Sequence, residues 1–144
     1  MTKPSPDDIQ AFTQSLNRCM LGFGFFDRFY ELFLASSDEI RSKFKNTDFV
    51  QQKRMLRGSL ETLVAALDGE PVALASLQAR AKSHSRAELD IRPELYDVWL
   101  ECLMQAVKEQ DPMCDEEIEL AWVNVMRPGI NYMISNYETK GVPS

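Results

Sequence analysis

Apolar residues recur every three or four positions along most of the chain, which is the spacing of one face of an α-helix. The pattern is clearest at Phe26, Phe29, Tyr30 and Phe33, which would lie together on one side of a helix. No segment shows the alternation of apolar and polar residues that indicates a β-strand. We therefore predict an all-α fold with helices at residues 5–20, 23–35, 37–44, 47–67, 71–85, 93–109 and 115–137.

Residues that start helices stand at the beginning of several of these segments. Ser5 and Pro6 combine a capping side chain with a proline in the first turn. Asp48 can cap the fourth helix, while Pro71 and Pro93 open the fifth and sixth. Capping residues and apolar periodicity therefore agree on where the helices begin.

Length and charge limit the kind of protein this is. The 144 residues, with a mass of 16.5 kDa, suit one domain over residues 1–144. A net charge of −6 and an isoelectric point near 4.8 disfavour nucleic acid, because phosphate binding needs a basic surface. No apolar run reaches the ~20 residues that span a bilayer, and no hydrophobic leader is visible. We therefore expect a cytoplasmic protein with no nucleic-acid or membrane partner.

The three cysteines, Cys19, Cys102 and Cys114, are odd in number and far apart in the sequence. They form neither a CxxC pair nor a zinc-binding spacing, so we expect reduced thiols. Sulfide or peroxide chemistry at Cys19 and Cys102 is a further hypothesis. It is disfavoured because both residues fall on apolar helix faces, where a free cysteine commonly belongs to the core.

The chain has a single histidine, His84, near the end of the predicted fifth helix. Its imidazole is a nitrogen donor of the kind that binds haem iron from one side. Taken alone, a helical histidine is more often a core or surface residue than a metal ligand. If the protein binds a metal through nitrogen, His84 has to be the ligand.

Three short stretches frame this histidine in a particular order. They read RFYELF at residues 28–33, EIRSKF at residues 39–44 and IRPELY at residues 91–96, with His84 between the second and third. In this order the chain resembles the single-domain bacterial globins and the haem domain of flavohaemoglobins. The resemblance covers residues 9–137 and implies a globin fold, with helices packed around one haem b.

The resemblance assigns roles to four side chains in the first two thirds of the chain. His84 is similar to the proximal ligand of the haem iron, and Phe44 to the phenylalanine that stacks on the haem. Tyr30 and Gln51 look like the distal pair of many bacterial globins. A phenol and an amide both donate hydrogen bonds, so both can stabilise the negative charge that bound oxygen acquires.

Further residues would line the same haem pocket. By the resemblance, Ile91, Tyr96 and Trp99 lie on the proximal side, after His84 in the chain. Met55, one turn after Gln51, would face the pocket and limit its volume.

Two features depart from the family pattern on either side of the expected haem. Arg80 stands where the family usually has a leucine beneath the haem, and its guanidinium could meet a haem propionate. The distal glutamine could also be Gln52 instead of Gln51. We favour Gln51 because the alternative register turns Lys53 and Arg57 inward.

The proximal side departs as well. Flavohaemoglobins carry a glutamate on the last helix that polarises the proximal histidine, and alignment at Trp122 puts Tyr137 there, beside Glu138. The loop from His84 to Pro93 is also one residue longer. We therefore expect a more neutral imidazole, as in oxygen binders and sensors.

Together these features predict a haem protein that binds oxygen or nitric oxide reversibly at ferrous iron. Oxidation of nitric oxide to nitrate would need a separate reductase, since no flavin or nicotinamide domain is present. The alternative is a globin-fold gas or redox sensor, or an interaction module, that signals to a separate partner with or without haem. An apolar patch on the second or last helix could form a homodimer.

Overall fold

We describe residues 3–138 of a computed structural model, which leaves the ends of the expected domain outside the described residues. Within this range the chain is all-helical, as predicted, and contains no strand. The helices are α1 (Pro6–Leu21), α2 (Phe25–Ser36), α3 (Asp38–Lys43), α4 (Phe49–Leu67), α5 (Pro71–Ser83), α6 (Glu94–Gln110) and α7 (Glu116–Ser135).

The predicted capping residues do cap the helices. The Ser5 side chain accepts a hydrogen bond from the Asp8 backbone N–H at 3.1 Å, and the Asp48 carboxylate accepts from the first turn of α4. All helix boundaries lie within two residues of the prediction, and two of the shifts move Phe23 and His84 out of their helices. Phe23 precedes α2 and is fully exposed, and α5 ends at Ser83, so that His84 follows the helix as its cap.

The core forms where α1 packs on α7 and α2 packs on α6. Trp122 of α7 is fully buried at its centre and meets the ring of Phe12 edge-on, with centroids 4.8 Å apart. Phe25 at the start of α2 lies 6.2 Å from the same indole. This aromatic contact joins the first, second and last helices. α4 and α5 pack mainly against each other.

Glycine allows one close approach and one sharp turn at these two helices. A Cβ at Gly129 of α7 would lie 3.0 Å from a methyl carbon of Leu63, so the missing side chain lets α7 approach α4. Gly69 has a φ of +83°, a left-handed conformation that suits glycine and ends α4 just before α5 begins. The turn at Gly69 therefore lets α5 fold back against α4, and both helices pack beside α7.

A buried polar network ties three helices together. The Trp122 indole N–H donates to the Ser15 hydroxyl at 2.9 Å, and that hydroxyl donates to the Asp111 carboxylate at 2.6 Å. Arg18 donates two further hydrogen bonds to this carboxylate, which is fully buried at the end of α6. Burial alone raises the pKa of Asp111, but the bonds from Arg18, Ser15 and the Met113 backbone outweigh it and hold the pKa below its usual value.

None of the helices within residues 3–138 is long and apolar enough to cross a membrane.

We predict that Asp111→Asn lowers the free energy of unfolding by roughly 2–4 kcal/mol at neutral pH, because Arg18 loses its buried partner. Since the folded pKa of Asp111 is depressed, its contribution is present above the unfolded pKa and is lost as the pH falls below about 4. Urea unfolding at pH 7 and at acidic pH measures both effects. Asp97→Asn is the control, since that carboxylate is 71% exposed, and an equal loss in both variants would contradict the assignment.

Candidate functional site

A cavity of about 690 Å³ lies between α4 and α5 and is closed on its inner side by α2, α6 and α7. Its wall contains every site residue expected from the sequence except Gln51. These residues are Tyr30, Phe44, Met55, Arg80, His84, Ile91, Tyr96 and Trp99. Helices distant in the sequence therefore bring the expected site residues to one space.

The structure brings Gln52 to the cavity in place of the expected Gln51. Gln52 lies in the cavity wall, whereas Gln51 is exposed and its backbone N–H donates to the Asp48 cap. The prediction assumed that this register would bury the charges of Lys53 and Arg57. A long cationic side chain can instead keep its charged end in solvent while its stem lies along the protein. Lys53 reaches an ion pair with Asp27 on α2, and Arg57 stays on the surface of α4.

Tyr30 and Gln52 form a hydrogen-bonded pair at the cavity. The Gln52 side-chain amide donates to the Tyr30 hydroxyl oxygen at 3.1 Å, which leaves the hydroxyl hydrogen free to point elsewhere. Burial raises the pKa of Tyr30 to about 12, although the bond from Gln52 and the charge of Arg80 lower it in part. Tyr30 is therefore a phenol at neutral pH and can donate a hydrogen bond into the cavity.

Aromatic rings fix the position of this phenol. Phe44 follows α3 and meets Tyr30 edge-on at 5.9 Å, and Phe49 at the start of α4 meets it at 5.5 Å. Phe44 also packs against Phe33 at 5.9 Å. Two rings from outside α2 therefore hold the Tyr30 ring, so its hydroxyl has little freedom to move.

His84 projects into the cavity from the end of α5, where its Nδ1 lies 3.1 Å from the Ser83 hydroxyl. That hydroxyl donates its one hydrogen to the Arg80 carbonyl at 3.0 Å. In this arrangement the hydroxyl oxygen accepts from Nδ1–H, and the tautomer that it favours leaves the Nε2 lone pair of His84 free. Burial and the positive charge of Arg80 lower the pKa of His84 to about 4, so the imidazole is neutral at pH 7.

The loop after His84 is closed by its own hydrogen bonds. The Ile91 backbone N–H donates to the His84 carbonyl at 3.0 Å, and the Asp90 N–H donates to the Ser85 carbonyl at 2.8 Å. Asp90 has a φ of 54°, a left-handed conformation in which non-glycine residues are uncommon. Its carboxylate accepts a hydrogen bond from the Tyr137 hydroxyl, which fastens the loop to the chain after α7.

Tyr137 therefore holds the loop and does not reach the histidine ring. Its carbonyl also accepts from the Arg86 backbone N–H at 2.9 Å, and the neighbouring Glu138 pairs with the Arg86 guanidinium at the surface. Within residues 3–138 no carboxylate hydrogen-bonds to His84, whose ring contacts the hydroxyl of Ser83 instead. Ser83 was missed in the sequence reasoning, although a hydroxyl directly before a candidate ligand is a visible signal.

On the α6 side, Tyr96 and Trp99 face the cavity together with Ile91 from the preceding loop. Tyr96 is buried, and its hydroxyl has no hydrogen-bond partner within the described part of the chain. Burial raises the pKa of Tyr96 above its ordinary value. This wall thus offers ring surface and one un-ionised hydroxyl, with no charge.

Met55 stands at the edge of the cavity and is 45% exposed. Leu56, the next residue of α4, lies one turn after Gln52, and its buried side chain lines the interior of the cavity. The shift of the register from Gln51 to Gln52 explains the difference. Leu56 limits the inner volume, and Met55 borders the entrance.

The charges in the cavity wall have one sign. Among the described residues that line it, Lys43 and Arg80 carry positive charge and none is an aspartate or glutamate. The Lys43 ammonium donates to the Leu89 carbonyl at 3.1 Å, across the entrance. In a chain with a net charge of −6, this cavity favours an apolar ligand that carries negative groups.

The cysteines do not contribute to this site. Cys19, Cys102 and Cys114 are free thiols and none of them lines the cavity. Burial, with the nearby negative charge of Asp111, raises the pKa of Cys19 to about 12, so its thiol is protonated and a weak nucleophile. Sulfide or peroxide chemistry at Cys19 is therefore not supported.

An all-helical fold around an apolar cavity with one free imidazole nitrogen is the architecture of a globin. The Globin family model matches residues 27–134, and the chain belongs to the globin family. No curated protein matches the chain.

Among solved structures, the chain is similar to a Pseudomonas aeruginosa PAO1 protein described as structurally highly homologous to a human haemoglobin. The two share 48% sequence identity and superpose with a TM-score of 0.84, over 90% of this chain and 98% of that one.

His84 is the sole histidine, so its ring resonances in an NMR spectrum need no assignment by mutation. We predict a midpoint near pH 4 for the ligand-free protein, because the buried ring resists protonation. The unfolded chain takes up this proton near pH 6.5, so the free energy of unfolding should fall as the pH drops from 6.5 towards 4, by at most about 1.4 kcal/mol per pH unit. A midpoint near pH 6.5 would mean that the ring is solvated.

Proposed function

We propose that this globin binds haem b through His84 and reversibly binds a diatomic gas, oxygen or nitric oxide, on the opposite face of the haem. One observation carries the proposal: the only imidazole of the chain and the Tyr30–Gln52 pair line the same cavity. Membership of the globin family supports it, as does the relative described as homologous to a haemoglobin.

The chemistry of the cavity fits the group. Haem b is a flat apolar ring with two propionates, and the wall is mostly apolar with two cations and no acid among its described residues. The volume of about 690 Å³ lies in the range of cofactor sites. One imidazole with a free nitrogen supplies the single protein ligand that leaves the other iron face open.

On the α5 side, the residues hold the imidazole ready for a metal. Ser83 accepts the Nδ1 proton of His84, which keeps the lone pair on Nε2. The low pKa of His84 means that no proton competes for this nitrogen at neutral pH. His84 would hold the iron of a bound haem through Nε2, and that iron would supply the binding of the gas.

On the α4 side, the pair Tyr30–Gln52 acts as a hydrogen-bond donor. The amide of Gln52 orients the hydroxyl oxygen, and the phenol donates its hydrogen to the gas. A bond to a ligand with partial negative charge contributes ~1–3 kcal/mol, which slows release roughly tenfold or more. We therefore propose tight binding and slow release of oxygen.

The same site can support a slow oxidation of nitric oxide to nitrate. Each nitric oxide converted takes up one O₂ and one electron, so repeated turnover requires a reductase. His84 contacts a hydroxyl instead of a carboxylate, which makes it a weaker electron donor than in peroxidase-like sites. We accordingly favour gas binding over oxidative catalysis.

We expect the purified protein to take up haem with an intense Soret band, and His84→Gly to lose it because the iron ligand is gone. Free imidazole should restore the band, which separates loss of the ligand from loss of the fold. Absorption spectra with and without imidazole measure this. Without a Soret band in the wild-type protein after haem addition, the gas-binding proposal fails and a globin-fold regulator without haem takes its place.

Removal of the phenol should speed oxygen release. We predict that Tyr30→Phe raises the oxygen dissociation rate roughly tenfold to a hundredfold, since the ring stays and only the donor is lost. Stopped-flow displacement of oxygen by carbon monoxide gives the rate.

The neighbouring glutamines offer a matched pair for the same measurement. Gln52→Ala should also raise the rate, because the phenol loses its orienting donor, while Gln51→Ala should leave it unchanged, since that side chain is exposed. The opposite ranking of the two variants would restore the Gln51 register.

A further inference from the structure

Arg80 is an arginine in an unusual position. It lies one turn before His84 on α5, half-buried in the cavity wall, and its guanidinium donates to the Ser59 hydroxyl on α4. Seven other arginines of residues 3–138 pair with carboxylates: Arg18, Arg28, Arg41, Arg57, Arg86, Arg92 and Arg127. Arg54 is exposed to solvent. Within the described residues, Arg80 is therefore the one arginine turned inward without an acidic partner.

A guanidinium in this position is costly unless a negative group joins it. Burial removes its hydration, and one neutral hydroxyl does not replace the lost interaction with water. The cost shows as a lowered pKa of Arg80, caused by burial. No acid lines the cavity among the described residues, so the compensating charge has to come from a ligand.

We propose that Arg80 binds a carboxylate of the tetrapyrrole that occupies this cavity, so that the site selects acidic porphyrins over neutral ones. The inference rests on the proposed function. Arg80, which would bind the carboxylate, and His84, which would bind the iron, would then lie about one helical turn apart at the end of α5. The planar fork of a guanidinium matches a carboxylate in a bidentate manner, and Ser59 keeps the side chain directed into the cavity until the ligand arrives.

A pair of metal-free porphyrins isolates this contact from the iron–His84 bond. Protoporphyrin IX carries two carboxylates, and its dimethyl ester has the same ring without charge. Quenching of the tryptophan fluorescence reports binding of both, since Trp99 lies in the cavity wall. The measured quantity is the ratio of the two dissociation constants, ester over acid, in one buffer and from the same solvent stock.

Two variants change Arg80 and one serves as a control. Arg80→Met should lower the ester-to-acid ratio roughly ten- to hundredfold, because the acid loses a charged partner and the ester no longer buries an unpaired cation. Arg80→Lys keeps the charge and loses the fork, so its ratio should fall between those of the wild type and Arg80→Met. Arg54→Met removes the same charge from the exposed surface and should leave the ratio unchanged.

Melting temperatures check the fold, and Arg80→Met without ligand should melt no lower than the wild type, since it removes an uncompensated cation. An unchanged ester-to-acid ratio in Arg80→Met would overturn the proposal and would mean that Arg80 meets a free small anion or only Ser59. A ratio that falls equally in Arg54→Met would also overturn it, as it would reflect net charge alone. If the wild-type protein forms a Soret band but the ratio is unchanged in Arg80→Met, the proposed function stands and this inference fails.

Discussion

The arrangement around His84 is the constraint on which the site depends. α5 ends at Ser83, and the hydroxyl of that residue sits between the Arg80 carbonyl and the imidazole Nδ1. This proton chain leaves Nε2 as the unprotonated nitrogen and sets the direction in which the ring can bind. The loop that follows is closed by the bond from Ile91 to the His84 carbonyl and by the bond from Tyr137 to Asp90. A ligand nitrogen at a helix end would otherwise be free to turn with the fraying last turn.

The same contacts explain which chemistry the site favours. The Tyr137 hydroxyl donates to Asp90 in the loop, and the imidazole of His84 meets the neutral hydroxyl of Ser83. Burial lowers the pKa of His84 most, and the positive charge of Arg80 lowers it further. A cation near the ring opposes the build-up of negative charge on it, the reverse of a carboxylate. These surroundings of His84 support the proposed reversible gas binding over oxidative chemistry.

The fold could be predicted from the sequence, because local signals determine it. The caps at Ser5 and Asp48 and the apolar spacing of α2 act over a few residues and hold in the structure. The register at Gln51 and Gln52 could not, since no local signal shows that the long side chain of Lys53 can reach Asp27 on another helix. The bond from Tyr137 to Asp90 joins residues 47 positions apart and has no local signal. Fully exposed Phe23 shows the same limit, because an aromatic residue beside a helix start is indistinguishable by pattern from one inside it.

The balance of charge links the fold to the ligand. The chain carries a net charge of −6 and pairs seven of its described arginines with acids, yet it leaves Arg80 inside a cavity without one. An apolar residue at this position would give a more stable empty protein, as uncompensated burial of charge costs free energy. The cost is recovered only when a ligand supplies the missing negative charge. If Arg80 binds a carboxylate as proposed, the cavity is built for its occupied state, and Arg80 is the residue that makes the empty state unfavourable.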